Sequence, residues 1–448
     1  MRPKKPKKAD HDDLFRARLD QIINLRHELV LLADKIDWDW LDDELASSFS
    51  DHGRPAEPVR FMIGMFLLKA TYGLSDEQLW ERWVHDPYFQ YFTGEEFFQH
   101  HLPHDRSGMS HWRKRLGDKL DILLAETLRV AHDVGALKKS DLARVSVDTT
   151  VQPKNIAFPT DARLMLVAIE QLGRLARAHG VKPRQSYGRV GKQAAVMVSR
   201  YAHAKQFKRM NKKLNFLRRR LGRLVRDIDR KTRDDDARRA VFAVPLSKAN
   251  QIRSQRQHQR GRKLYSWHAP ESECIGKGKA AKPYEFGCKV SITTTNARAK
   301  GGQFILHAKA LHGRPYDGHT LKEGIEETQT LTGREIERVY VDKGYRGHDA
   351  PKPLRVFISG QKRGVHGQIK RELRRRSAIE AVIGHCKTDG HLGRNFLKGR
   401  LGDRINAIMS AVGYNLRLIL RWIRKLLRKI IAEIISAIHR QSMLNAAC

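Results

Sequence analysis

From residue 10 to about 135 the apolar positions fall at steps of three and four, the spacing of helices that bury one face. Residues 27–45 predict one helix. Residues 57–69 predict a second, with Pro55 and Pro58 near its first turn, where a missing N–H costs nothing. The link through Gly73 ends it. Ser75 opens a third, with Gln78 three residues on completing a capping box. Residues 110–130 predict a fourth, whose start is basic. Two helices across a short glycine-containing turn have the form of a helix-turn-helix, and equally of a plain helical bundle.

At residues 143–151 the period changes to two and β-branched residues alternate, which predicts a strand. Helices are expected at 160–178 and 192–232. In the second, Phe207, Met210, Leu214, Leu217, Leu221, Leu224 and Ile228 form a coiled-coil-like seam. Asp234, Asp235 and Asp236 mark either a solvated loop or the turn of a helical hairpin. Strands follow at 285–294, 304–311, 338–342 and 354–359, with helices at 318–330 and 369–387. Residues 404–439 predict one long amphipathic helix. Val412, Leu416, Ile419, Ile423, Leu426, Ile430, Ile434 and Ile438 mark its apolar face, with Arg417, Arg421, Arg424, Lys425 and Arg428 largely opposite. That apolar face is expected to pack on the protein body or on a second subunit, a membrane-surface helix being the alternative.

Charge changes this picture more than length does. The chain has 448 residues and a formal net charge of +37. From residue 184 to 263 there are 25 Lys and Arg against 5 Asp, a net +20, which is over half of the total. A basic helical insertion therefore interrupts better-packed sequence. A polyanionic partner is implied, with nucleic acid ahead of an anionic membrane surface. No apolar run approaches the ~18 residues of a membrane span, and no apolar segment follows the basic first eight residues. The four cysteines, Cys274, Cys288, Cys386 and Cys448, form no CxxC pair, so neither a disulfide framework nor a zinc ribbon is expected and a reducing compartment fits.

Three carboxylates stand beside residues that look buried. Asp148 lies within the first strand, Asp342 closes the strand at 338–342, and Glu380 lies in the helix after it. A lone buried carboxylate is costly unless it is paired or binds a metal. Each alone reads by default as half of a structural ion pair. The three together, on strand, strand end and following helix, are what a pair of Mg²⁺ ions needs.

These segments, in order, resemble the DDE transposases of bacterial insertion sequences, specifically the IS-five family. The resemblance rests on Val-Asp-Thr-Thr-Val-Gln-Pro-Lys at 147–154, Lys-Gly-Lys at 277–279 with Tyr-Glu-Phe-Gly at 284–287, Asp-Lys-Gly-Tyr-Arg-Gly at 342–347 and Ile-Glu-Ala-Val-Ile-Gly at 379–384. Tyr-Gly-Leu-Ser-Asp at 72–76 and Pro-Tyr-Phe-Gln at 87–90 extend it to the N-terminal helices. The resemblance implies an α/β fold with an RNase H-like catalytic core, a mixed sheet with flanking helices and a helical insertion, behind an all-helical N-terminal DNA-binding domain. The implied divisions are a basic tail at 1–9, the helical domain at 10–138, the core at 139–400 with its insertion at about 155–282, and a C-terminal amphipathic region at 401–448.

It further implies Asp148, Asp342 and Glu380 as catalytic and metal-binding residues, with two Mg²⁺ (or Mn²⁺) ions per site. Related enzymes carry Tyr, Arg, Glu and Lys around the glutamate with gaps of two, three and six. Arg376, Glu380 and Lys387 match, and Leu373 replaces the Tyr. Arg376 and Lys387 are thereby expected to contact DNA, as is the Arg218, Arg219, Arg220 cluster. Trp267 reads either as a base-stacking residue or as a packed core residue. The implied protein is a bacterial, cytoplasmic, nucleoid-associated transposase that binds inverted repeats on double-stranded DNA as a homodimer, without membrane association. The alternatives are an RNase H-like nuclease without strand transfer and an inactive domesticated DNA-binding protein. No Walker phosphate loop is present, and Gly276 to Lys279 reads as a flexible basic loop. His100, His101, His104 and Asp105 read as a surface loop, Cys386 as a small buried residue, and Asp317 with His319 as a helix start.

Overall fold

The computed structural model describes residues 17–49, 52, 56–103, 105, 107–117, 119–256, 259–276, 283–297 and 299–445. The basic tail, Pro55, His104, the 277–282 stretch and Cys448 lie outside them. The chain forms two compact units, residues 1–153 with 288–448, and residues 154–287.

The first unit begins all-helical, with α1 (Leu19–Ile22), α2 (Glu28–Ala33), α3 (Trp38–Leu45), α4 (Val59–Tyr72), α5 (Asp76–His85), α6 (Pro87–Thr93), α7 (Gly108–Leu116) and α8 (Asp121–Asp133). The helix expected at 27–45 is two helices. Asp37 caps α3 by accepting from the Trp40 N–H, and its own N–H is taken by Glu126, so the chain turns there. The helix expected at 110–130 is also two. At Gly117 a Cβ would meet the Leu401 side chain at 2.5 Å. The capping box at Ser75 and Gln78 is present, and Gly73 ends α4 at φ +63°, a left-handed conformation that favours glycine. Eleven of the fourteen residues of α4 are buried, so it is a core helix of a bundle.

A half-buried ion network ties three of these helices. Asp76 accepts from Arg113 at 2.6 and 3.0 Å and pairs with Lys69. Burial alone would raise the Asp76 carboxyl, but the Arg113 and Lys69 cations outweigh it and hold it down to about 2. Asp76→Asn is expected to cost about 2 kcal/mol at pH 7. The depressed folded-state pKa places that stabilisation above the unfolded value near pH 4, with loss as pH falls toward 2. Urea melts at pH 7 and pH 2.5 check this: the gap between parent and variant should narrow at the lower pH.

The unit continues with β1 (Arg144–Pro153). After the second unit come the latter part of β3 (Tyr284–Thr295), β4 (Ile305–Leu311), α13 (Leu321–Thr332), β5 (Arg338–Val341), β6 (Arg355–Ile358), α14 (Gly367–Arg375), α15 (Ala378–Thr388) and α16 (Gly399–Asn445). Strands run in the order β3-β1-β5-β6, with β4 on β3. β1, β5 and β6 are parallel, and β3 and β4 are antiparallel. The unit is thus a mixed sheet flanked by helices, behind an all-helical N-terminal region. Val145, Val147, Val290, Ile292, Val339 and Val341 bring the sheet into the same core as α4, α8 and the first half of α16.

Two more expected helices are broken. The one expected at 369–387 divides at Arg376 and Ser377 into α14 and α15. Leu373, at the Tyr position of the related signature, packs beside Tyr340, Phe357 and Val365. Glu372 next to it is a buried carboxylate satisfied by Arg144, Gln368 and Tyr340, which fixes α14 to β1 and β5. The long helix exists as α16. From Val412 to Ile423 its apolar face is buried, and beyond that Ile430, Ile431, Ile434, Ile435 and Ile438 are exposed. Arg417, expected on the solvated basic face, turns inward and donates to the carbonyls of Ala70 and Thr71 at 3.1 and 3.2 Å. No helix among the described residues is long and apolar enough to cross a membrane.

The second unit holds α9 (Asp161–Ala178), α10 (Gly188–His203), α11 (Phe207–Thr232), α12 (Asp236–Ser254) and a hairpin of β2 (Glu273–Gly276) with the first residues of β3. The helix expected at 192–232 divides at Lys205, whose φ is +53°. Leu217, Leu221, Leu224 and Ile228 of the expected seam are buried against α9, α10 and α12. Phe207, at its start, is exposed. Asp235 caps α12 at the turn of a helical hairpin. Trp267 packs, half-buried, on this core.

Candidate active site

β1 and β5 are parallel with Ser146 opposite Tyr340, so two residues further on Asp148, within β1, lies beside Asp342, just past the end of β5. Both positions follow from the alternating pattern that buries Val147 and Val341. Asp148 accepts from the Thr149 N–H at 2.8 Å. Asp342 caps a short turn at Lys343–Tyr345, accepting from the Gly344 N–H at 2.8 Å.

A third carboxylate joins them. Asp317 opens the turn before α13, but its side chain does not cap that turn. It accepts from Thr149 Oγ1 and Lys289 Nζ, each at 2.9 Å. A Cβ at Gly344 would lie 3.0 Å from Asp342 Oδ1 and 3.3 Å from Asp317 Oδ2, so a side chain there would press on both acids. The Asp-Gly-His-Thr sequence signals the turn and hides the role of the acid. His319, from the same motif, is exposed.

The charges are crowded. Burial first, then the Asp342 carboxylate, pushes Asp148 up to about 6 despite the nearby Arg376. The Tyr345 hydroxyl is fully buried with no hydrogen-bond partner among the described residues. Burial and then Asp317, Asp148 and Asp342 push it well above the ordinary tyrosine range. An orphaned buried hydroxyl beside mutually repelling half-buried carboxylates suits a hard divalent cation with oxygen ligands.

Glu380 stands at the edge of this group. Its side chain is 67% exposed, and Arg376 bridges it to Asp148 with both separations at 3.4 Å. The break between α14 and α15 is what lets Arg376 turn inward. Lys387, seven residues after Glu380 and so on the same face of α15, is half-buried. Cys386 is buried, its thiol pushed up to about 12 by desolvation. In the second unit, Arg218 donates to the Arg253 carbonyl and Arg220 stacks on Phe216. Arg219 alone of that cluster is exposed. His100 and His101 are exposed loop residues.

The fold also gathers a group that lies far apart along the chain. Cys288, His312 and Asp403 bring one ligand atom each to within 4.8 Å of one another, a candidate metal-binding cluster among the described residues. The signal for it is weak in the sequence, because the three residues come from β3, the loop after β4 and α16.

Comparisons with known proteins bear on this geometry. Residues 17–115 match the Transposase domain (DUF772) family. An uncharacterized protein, ORF8 in nfe locus, of Rhizobium meliloti is 50% identical over 208 residues, which are 46% of this chain and 100% of that protein. No solved structure matches the chain. With its helical N-terminal region related to a transposase-associated domain and with the whole of that relative covered at this identity, the chain belongs to the same family as the ORF8 protein of Rhizobium meliloti.

Proposed function

We propose that this chain is a metal-dependent DNA nuclease with an RNase H-like core, cleaving phosphodiester bonds at Asp148, Asp342 and Glu380. The carrying observation is the convergence of Asp148 within β1, Asp342 at the end of β5 and Asp317 from the turn before α13, with Asp148 held up to about 6. Two Mg²⁺ or Mn²⁺ ions at this site would offset phosphate charge and acidify an attacking water. The residues themselves pre-set the site. Thr149 orients both Asp148 and Asp317. Lys289 holds Asp317. Arg376 offsets charge on Asp148 and Glu380 and is placed to meet a backbone phosphate.

Cleavage of a supercoiled plasmid by the purified chain tests this. Nicking with Mg²⁺ or Mn²⁺, abolished by EDTA, is the expected result. No nicking under any divalent ion would sink the proposal.

The match of residues 17–115 to a transposase domain favours a second reading, in which the 3′-hydroxyl freed by cleavage attacks target DNA. That reading adds inverted-repeat binding and pairing of two ends by a dimer. It predicts joined products from a DNA carrying the element's ends, where the nuclease reading predicts cut products alone.

DNA binding is proposed for the exposed basic side of α11. Arg219, Arg223 and Arg226 lie at i, i+4 and i+7 and are exposed, so they share one face. Replacing all three with Gln is expected to weaken binding to every duplex sequence alike. The slope of log K against log salt should shrink by about 0.9 for each phosphate that the variant no longer neutralises. An unchanged slope in a fluorescence-anisotropy titration would mean that this face does not meet DNA.

A further inference from the structure

We infer that Cys288, His312 and Asp403 form a zinc-class metal site, separate in chemistry from the carboxylate cluster. Each residue comes from a different element. Cys288 lies on β3, where Lys289 pairs with Leu311 of β4, so the next pair outward sets Cys288 against His312. Asp403 lies near the start of α16 and is 1% exposed. An ion held by all three would pin the start of α16 to the antiparallel edge of the sheet.

The distances suit a small tetrahedral ion. Cys288 Sγ is 3.6 Å from His312 Nδ1 and 3.9 Å from Nε2. His312 Nε2 is 3.9 Å from Asp403 Oδ2. With Zn–S near 2.3 Å and Zn–N or Zn–O near 2.0–2.2 Å, tetrahedral ligands stand about 3.3–3.6 Å apart. One nitrogen must serve both neighbours: through Nε2 the two edges are 3.9 Å each and the Cys288–Asp403 edge lies within 4.8 Å, so the ligands must draw together by about half an ångström or more to load the site.

The donor set selects the ion. A thiolate with an imidazole and one carboxylate oxygen favours zinc and its neighbours over Mg²⁺, which takes oxygen ligands and retains water. The Asp403 carboxylate is already oriented, since Oδ1 accepts from Asn395 Nδ2 at 2.8 Å while Oδ2 faces His312. Behind it, Gln152 donates to the Asp403 carbonyl at 2.9 Å and accepts from Asn406 at 2.9 Å. Such buried second-layer amides hold a ligand's aim. His312 is 19% exposed, which leaves a way in for the ion and a place for water as fourth ligand. On loading, the Cys288 thiol proton passes to solvent as the S–metal bond forms.

The test uses the full chain, stripped with EDTA and titrated with Co²⁺ as a spectroscopic stand-in, then with Zn²⁺ in competition. One equivalent of Co²⁺ should give intense visible bands of a tetrahedral ion and a near-ultraviolet sulfur-to-cobalt band, both abolished by Zn²⁺. Cys288→Ser should remove the sulfur band, and His312→Gln should weaken Zn²⁺ binding at least about 100-fold. His312 is partly exposed, so its variant keeps the test valid if Cys288→Ser misfolds. A weak octahedral spectrum, or a sulfur band that survives Cys288→Ser in a folded protein, overturns the inference. Because the readout is spectroscopic, it stands or falls independently of DNA cleavage.

Discussion

Asp148→Asn should lower metal-dependent cleavage by at least about 10³-fold while leaving duplex binding largely intact, as removal of one member of an interdependent catalytic set does. The same variant should be more stable than the parent in EDTA. An acid held up to about 6 in the folded chain, against about 4 when unfolded, makes its ionised form a burden on the fold. The parent therefore loses stability as pH rises from about 4 to 6 and carries the full cost above that. A shift of about two units corresponds to about 3 kcal/mol, an upper figure for a group that is partly solvated. Asparagine carries no charge, so the gain over the parent should be largest at pH 7 and vanish near pH 4. Parallel urea melts at the two pH values measure it. A variant that loses both activity and stability at pH 7 would mean Asp148 is a structural ion-pair partner of Arg376. Loss of activity with a gain in stability is the signature of a site strained for function.

Asp317→Asn separates the site's members further. Asp317 shares Thr149 with Asp148 and shares the space over Gly344 with Asp342. The three carboxylates are therefore one electrostatic unit, and their deletions should be far from additive.

Much of this was legible in the chain. The period-two pattern around Asp148 and before Asp342 puts one acid within a strand and the other just past a strand's end, because alternation says which residues face the core and where the strand stops. The seam from Leu217 to Ile228 is likewise a buried face. What failed has a common cause. The helices expected at 27–45, 110–130, 192–232 and 369–387 each keep helical apolar spacing across a break. Periodicity reports which side is buried and is blind to a turn that preserves the side. Local chemistry marks two of the breaks: a cap at Asp37 and a left-handed Lys205. Asp317 was missed as a member of the acid group because its local role, opening a turn, accounts for it without any tertiary partner. Cys288, His312 and Asp403 were invisible for the converse reason, since only the sheet register and the start of α16 bring them together.

The largest stability effect is expected from a residue with no chemistry. Gly413 lies in the buried half of α16, where the helix crosses the end of α4. A Cβ there would sit 2.1 Å from the Ala70 carbonyl oxygen and 2.5 Å from its carbon. Both are backbone atoms at the end of a core helix, so no rotamer change relieves the clash. Ala70 is also tied to α16, because its carbonyl accepts from Arg417, one turn along the helix from Gly413. Moving α4 away to admit a methyl group would break that bond and orphan a carbonyl in the core. Gly413→Ala should gain up to about 1 kcal/mol of helix propensity and lose more than it gains, a net cost of about 3 kcal/mol or more. Gly324→Ala in α13 is the matched control. Its added methyl meets nothing within 4 Å, so only the propensity gain remains and the melting temperature should rise. Thermal melts of the two variants beside the parent decide it. If Gly413→Ala melts with or above the parent, α16 does not approach α4 this closely, and the placement of Asp403 and of the helical region against the sheet must be redrawn.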